Sequence, residues 1–333
     1  VNDCGGPCSQ FGISGVQGLF ETDAEIQQAI ADNSADVISM SYGLGDAQGV
    51  GSYYDSSGVG IGPLEFAALA SEGIAAFASS GDNGAFECSQ PSGNTSIYIN
   101  ALCTSYPASD PSVTGVGGIN APLDNAGNLI PGQQFTAWAD NTTAGGTGVP
   151  GQNSVGSGGG PSSAFAAPSW QGTITGAGGM RATPDISMVA DPLTGPLLLT
   201  NSAYADAVMF SASGGTSAAA PQMAAVWAVV LSACKAIASC AAKGSGTHPY
   251  RLGSPNALLY KLFKANSTYA APSAFVDITA GANGAVTTPG GGINAGFSAG
   301  AGYDMVTGIG VPFVGHTINA VVAAQGGTSP NLP

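Results

Sequence analysis

One stretch constrains the fold more than any other. DVISMSYG (36–43) reads as a buried strand running into a glycine turn. PLEFAALASEG (63–73) reads as a helix stopped by Gly73, and IAAFASSGDNG (74–84) as the next strand and turn. Strand, helix, strand with turns after each strand is the pattern of a parallel α/β sheet flanked by helices. Ligands in such sheets bind at the strands' C-terminal ends. SMSYG and SSGDNG are therefore expected to face one crevice. A further helix is expected over 21–31, and further strands in YPASDPSVTGVGG (106–118), TPDISMVADP (183–192) and GPLLLTNSAYADAVMFSASGGTS (195–217). Residues 119–180 read as extended surface loops and short hairpins.

GGTSAAAP (214–221) hands the chain from a glycine pivot to Ser217 and then to an apolar run. The run predicts a long helix, buried nearly all round, with Pro221 in its first turn, where a missing N–H costs nothing. A serine at a helix N-terminus has two uses. Its hydroxyl can cap the helix. It can also act as a nucleophile, because free N–H groups and the helix dipole favour a developing oxyanion there. No base is evident. A triad in the order Asp, His, Ser needs a histidine before the serine. His248 and His316 both follow Ser217 and read as surface or structural. The remaining candidate for a base is a carboxylate, which works only where part of it is ionised and so predicts an acidic optimum.

Charge points the same way. The 333 residues carry 6 Lys+Arg against 20 Asp+Glu, and Arg181 is the first cation. Carboxylates alone over the first 180 residues argue against nucleic acid and anionic membranes as partners. In acid the carboxylates protonate and few charges remain to repel one another, which suits an acidic extracellular medium. No uncharged apolar run reaches the length of a membrane span. The six cysteines fall into close pairs, Cys4/Cys8, Cys88/Cys103 and Cys234/Cys240, without Cys-x-x-Cys or a nearby histidine. They read as local disulfides of a secreted protein. Asn94, Asn141 and Asn266 stand in glycosylation sequons. Val1 reads as a processed terminus.

With these residues on the page a resemblance emerges. GGTSAAAP, ISMSYG, SSGDNG, YPASDPSVTGVGG, GGGPSSAFAAPSWQ, TPDISMVADPLTG, FVDITAG and AGYDMVTGIG resemble, in order, the motifs of the sedolisins, the serine-carboxyl peptidases. The resemblance covers about residues 20–320 and implies one subtilisin-like α/β domain over 1–333, a Ser-Glu-Asp catalytic set and one calcium ion. It makes Ser217 the nucleophile and Asp82 the oxyanion-hole aspartate. A protonated carboxyl can donate to an oxyanion at acid pH. Within 275–310 it implies calcium ligands from the side chains of Asp277 and Asp304 and the carbonyls of Ile278, Gly300 and Gly302. Hard oxygen donors suit that ion, and these are the only two carboxylates after residue 206.

The catalytic Glu-x-x-x-Asp helix of the family has no match. Glu21 and Glu25 have the spacing, but they lie too close to Tyr42 for the elements that should intervene, and Asp3 lies in a cysteine-bounded loop. The expectation is that the pair lies upstream of Val1, on a fragment of the same precursor that stays bound without a covalent link. The complete protein would then cleave proteins and peptides. The alternative is an inactive sedolisin-like secreted protein with a structural or self-assembling role.

Overall fold

The centre of the molecule is built from short apolar runs too uniform to sort into an inside and an outside. The computed structural model describes residues 15–46, 62–87, 102–139, 155–202, 207–242, 244, 248–265, 273–287, 293–328 and 332. Four parallel strands lie side by side in it: β1 (Val37–Met40), β2 (Ala75–Ser79), β3 (Val113–Asn120) and β4 (Ile186–Val189). Val37 pairs with Ala75, Ala76 with Val113, and Val116 with Ile186, all in parallel. Thr136–Ala137 adds an antiparallel segment at the end of β3.

Every residue of β2 is buried, as expected of a parallel strand covered on both faces. Successive side chains alternate between those faces. Ala75 and Phe77 join a core with Trp227, Val230, Leu259 and Ile318. Ala76 and Ala78 join a second core with Ile26, Phe66 and Leu69. Helices α1 (Gly15–Asp32) and α2 (Gly62–Ser71) therefore cover one face of the sheet. Helices α3 (Thr216–Lys235), α4 (Asn256–Ala265) and α5 (Val314–Ala324) cover the other. Burying a side chain such as Phe77 contributes about 1.5–3 kcal/mol, so this double cover supplies much of the fold's stability.

The fold is the expected subtilisin-like parallel sheet flanked by helices. Two local expectations change. Helix α1 begins at Gly15, six residues before the stretch read as helical. Helix α3 is not buried all round: Ala219, Met223, Trp227, Val230 and Cys234 face the sheet, while Ala225, Ala228 and Val229 are exposed. Its length and hydropathy would suit a membrane span, yet Met223 and Trp227 lie fully within the core.

Cys234 and Cys240 form a disulfide at the end of α3. Cys103 is disulfide-bonded, and its expected partner, Cys88, lies outside the described residues, as do Cys4, Cys8, Asp3, Asn94, Asn141 and Asn266. An antiparallel hairpin, β5 (Leu197–Ser202) and β6 (Ala207–Ala212), leads into α3.

Candidate active site

Three strand ends converge on the first turn of α3. Beyond β1, the Ser41 hydroxyl donates to the Ser217 carbonyl at 2.7 Å. Beyond β4, the Ala190 carbonyl accepts from Gly215 N at 2.7 Å. Beyond β2, Gly81 and Asp82 grip Thr216: Asp82 Oδ1 accepts from Thr216 N at 2.7 Å, with the Thr216 hydroxyl at 2.8 Å. Gly81 N donates to that hydroxyl, and the Gly81 carbonyl also lies 3.0 Å from it. Thr216 has one hydroxyl proton and two acceptors in reach, so this contact is shared. The turns after β1 and β2, expected to face one crevice, thus both bond the residues at the mouth of α3.

Local sequence explains the corner. Gly215 has φ 78°, and a Cβ there would stand 2.5 Å from Asp82 Oδ2. Only glycine admits both that backbone and the carboxyl's approach. The next residue, Thr216, is fully buried as the bridge to β2, and Ser217 is half-buried at the surface. The N–H groups of a helix's first turn have no intrahelical acceptor. Asp82 takes that of Thr216, while Ser217 presents its own N–H beside its hydroxyl at the positive end of the helix dipole.

The structure thus brings Asp82 within one residue of Ser217, although 135 positions separate them in the chain. It does not bring the alternative carboxylates there. Glu25 is exposed on α1, and α1 and α3 lie on opposite faces of the sheet. Glu21 shares that helix. His316 Nδ1 lies 3.1 Å from the Ser273 carbonyl and its ring packs tilted against Phe313. The ring of His248 packs edge-on against Tyr250.

Below the Gly81–Asn83 turn sits a buried acid that the sequence did not single out. Glu87 accepts from Asn83 N at 2.7 Å and from Asn83 Nδ2 at 3.3 Å. Burial pushes its carboxyl up to about 8, against the pull of the Asn83 hydrogen bonds and with a further push from Asp82.

The second expected site lies where Phe275–Val276 pairs with Val311–Pro312. Asp277 Oδ2 accepts from Gly302 N at 3.0 Å, and Asp304 Oδ2 from Gly300 N at 3.1 Å, so both carboxyls meet one loop. Asp304 Oδ1 also accepts from Val306 N and Thr307 N. Burial pushes Asp304 up to about 6 while these N–H groups hold it down. The space where Gly300 and Gly302 would carry a Cβ is open. Two carboxylates and the open backbone of a glycine loop fit a hard cation with room to enter. Among the described residues no cluster of three or more His, Cys, Asp or Glu offers another metal centre.

Known proteins resemble this chain in sequence and in fold. The subtilase family matches residues 14–245. Sedolisin of Pseudomonas sp. (strain 101) is 31% identical over 303 residues, 89% of this chain and 42% of that protein. Xanthomonalisin of Xanthomonas sp. (strain T-22) is 26% identical over 93% of this chain and 35% of its own length. Kumamolisin of Bacillus sp. (strain MN-32) is 28% identical over 80% and 39%. A solved structure of Pseudomonas sedolisin, a serine-carboxyl proteinase in complex with two molecules of pseudo-iodotyrostatin, superposes with a TM-score of 0.67. The two are 29% identical over 90% of this chain and 68% of that one. The chain spans about two fifths of the length of the curated relatives it matches. With its parallel sheet and its serine at the mouth of α3, the chain belongs to the subtilase family, in its sedolisin group.

Proposed function

We propose that this chain is the nucleophile-bearing part of an acid-active serine-carboxyl endopeptidase. The observation that carries the reading is the Asp82–Thr216 clasp, which fixes a carboxyl beside Ser217 at the N-terminus of a core helix. In this reading Ser217 Oγ attacks the scissile carbonyl carbon and gives its proton to a glutamate. That glutamate comes from a segment upstream of residue 1, held by non-covalent contact. The oxyanion receives hydrogen bonds from protonated Asp82 and from the Ser217 N–H. The glutamate then protonates the leaving amine, and water hydrolyses the acyl-enzyme by the reverse route.

The Asp277–Asp304 loop is proposed to bind one calcium ion, with the Ile278, Gly300 and Gly302 carbonyls completing the set. The ion would brace the loop, which runs on through Val306, whose carbonyl accepts from Ser157. The disulfide at Cys234–Cys240 and the scarcity of cations support secretion into an acidic medium.

The test is cleavage of a denatured protein by the complete protein between pH 3 and pH 8, beside Ser217→Ala. We expect maximal cleavage near pH 4 and a loss of at least about 10³-fold in the variant. Equal cleavage by Ser217→Ala, or an optimum at pH 7–8, would overturn the reading. No cleavage at any pH, with no N-terminal fragment in the intact-mass spectrum, would favour a non-catalytic sedolisin-like protein.

A further inference from the structure

We propose that Glu87 is a positioning residue of the oxyanion loop: its buried, uncharged carboxyl is the template on which Gly81, Asp82 and Asn83 are shaped. The proposal rests on the peptidase reading of Ser217 and Asp82 and adds to it the part that aims Asp82.

The geometry carries it. Glu87 is 7% exposed, and its carboxyl lies directly under the loop. A Cβ on Gly81 would come within 2.1–2.5 Å of all three carboxyl atoms, so the loop backbone lies flat on the acid. The peptide N–H that follows Asp82 is pinned to Glu87 Oε1 at 2.7 Å, and the Asn83 side chain reaches the other oxygen. Asp82 is thus held from two sides. Its carboxyl is clasped by Thr216, and the backbone on either side of it is laid on Glu87. Glu87 itself is anchored by its own N–H to the Cys103 carbonyl.

The charge state follows from the surroundings. The titratable group acting on Glu87 is Asp82, of like sign. The segments packed against the loop bring Gly156, Gly158, Asn283 and Thr216, and the disulfide-bonded Cys103 with Asp46 behind it. None of these is a cation. The carboxyl therefore stays protonated through the acid range in which the peptidase is proposed to work. There it accepts the loop's N–H groups without placing a negative charge beside Asp82. An ionised Glu87 would place one there.

Two substitutions separate positioning from bulk. Glu87→Leu keeps the volume and removes the acceptor; Glu87→Gln keeps a neutral acceptor. In the complete protein at pH 4, with a fluorogenic peptide substrate, Glu87→Leu should lower kcat by about 10–100-fold with KM within about twofold. Glu87→Gln should restore most of that loss. Affinity for a peptide aldehyde, whose hemiacetal oxygen occupies the oxyanion position, should fall in parallel with kcat. Retention of kcat by Glu87→Leu, equal changes in kcat and KM, or no rescue by glutamine would overturn the proposal.

A second measurement needs no catalysis. Melting temperatures of the 333-residue chain and its Glu87→Gln variant should agree below about pH 4.5. They should diverge up to about pH 8, with the variant melting higher, and stay apart above that. Parallel curves would show that folding does not shift the ionisation of Glu87 from its ordinary value and would sink the template idea. If wild type proves inactive while the curves diverge, the peptidase reading falls and the loop's neutral template stands.

Discussion

Asp185 and Glu87 are both buried carboxyls beside the same sheet, and they solve the problem of burial in opposite ways. Asp185 opens β4 and is fully enclosed. It accepts from Arg181 Nη2 at 2.5 Å, Gly115 N at 2.8 Å and the Tyr260 hydroxyl at 3.0 Å. Burial pushes Asp185 up and Arg181 pulls it back, while Asp185 holds the guanidinium charged. The guanidinium also lies over the Trp170 ring. Glu87 has Asn83 as its donor and Asp82, of like sign, as its charged neighbour. One site keeps an ion pair that ties β3, β4 and α4 together. The other keeps a proton, so its environment can depend on pH. A buried acid with a cation braces the scaffold as an ion pair; one without a cation keeps its proton and braces its neighbours as a neutral acceptor.

The comparison breaks most visibly at Asp185. Asp185→Ala leaves Arg181 buried and unpaired, because arginine does not give up its proton. We expect a loss of about 3–5 kcal/mol at pH 5 and pH 8 alike, read by chemical denaturation. A loss under about 1 kcal/mol would mean that solvent or a rearranged partner relieves the guanidinium. Glu87→Gln should act with the opposite sign and only in one pH window. The folded-state value of Glu87 is raised, so the unfolded chain ionises first. Wild-type stability is full below about pH 4.5 and is lost relative to the variant as pH rises to about 8. The gap should reach roughly 4–5 kcal/mol. A gap that closes with rising pH would reverse the assignment.

These two sites also show what the sequence discloses. β1, β2 and α2 are legible because apolar runs of strand and helix length end at Gly43, Gly73 and Gly81. The corner at Ser217 is legible because GGTS and SSGDNG each hold their geometry locally. The contact that joins them is not legible in either piece: Asp82 and Thr216 meet across 134 positions. Arg181 and Asp185 are one strand's length apart in sequence, but Tyr260 and Gly115 complete their cage from distant segments. Glu87 is not legible either, because it stands beside Cys88 with no motif around it. Its burial depends on Cys103 and on the absence of a side chain at Gly81. The open side of α3 was misjudged because alanines on both its faces provide no polar contrast. The start of α1 is not legible because Gly15 and Gly18, poor helix formers, lie within its first turns.

Asp304 stands between the two extremes. Burial raises it as it raises Glu87, yet several loop N–H groups already hold it, as Asp185 is held. A cation would complete its resemblance to Asp185. At calcium about a hundredfold above its dissociation constant, binding should add about 2.7 kcal/mol, removed by chelation and absent in Asp304→Asn. Isothermal titration and melting with and without chelator read it. Unchanged melting on chelation, in protein shown by elemental analysis to carry no tightly held metal, would leave the loop with its hydrogen bonds alone.

The smallest change tests the joint between charge and scaffold. Thr216 has no charge, but its hydroxyl is the one group that touches both Gly81 and Asp82. Thr216→Val keeps the β-branched shape at the start of α3 and leaves the Thr216 N–H to Asp82. The lost hydroxyl strands Gly81 N in a buried corner, a cost of about 1–2 kcal/mol. The Asp82 carboxyl then has one tether instead of two, and kcat should fall about tenfold with KM little changed. If the oxyanion loop is shaped mainly by Glu87 from below, Thr216→Val and Glu87→Leu should lower kcat by independent factors. If the two act as one clamp, the double variant should be no worse than the poorer single one. A double-mutant cycle at pH 4 distinguishes these outcomes. The clamp is the expected result, because Thr216 holds Gly81 and Asp82 while Glu87 holds Gly81 and Asn83, so both contacts act on one short turn.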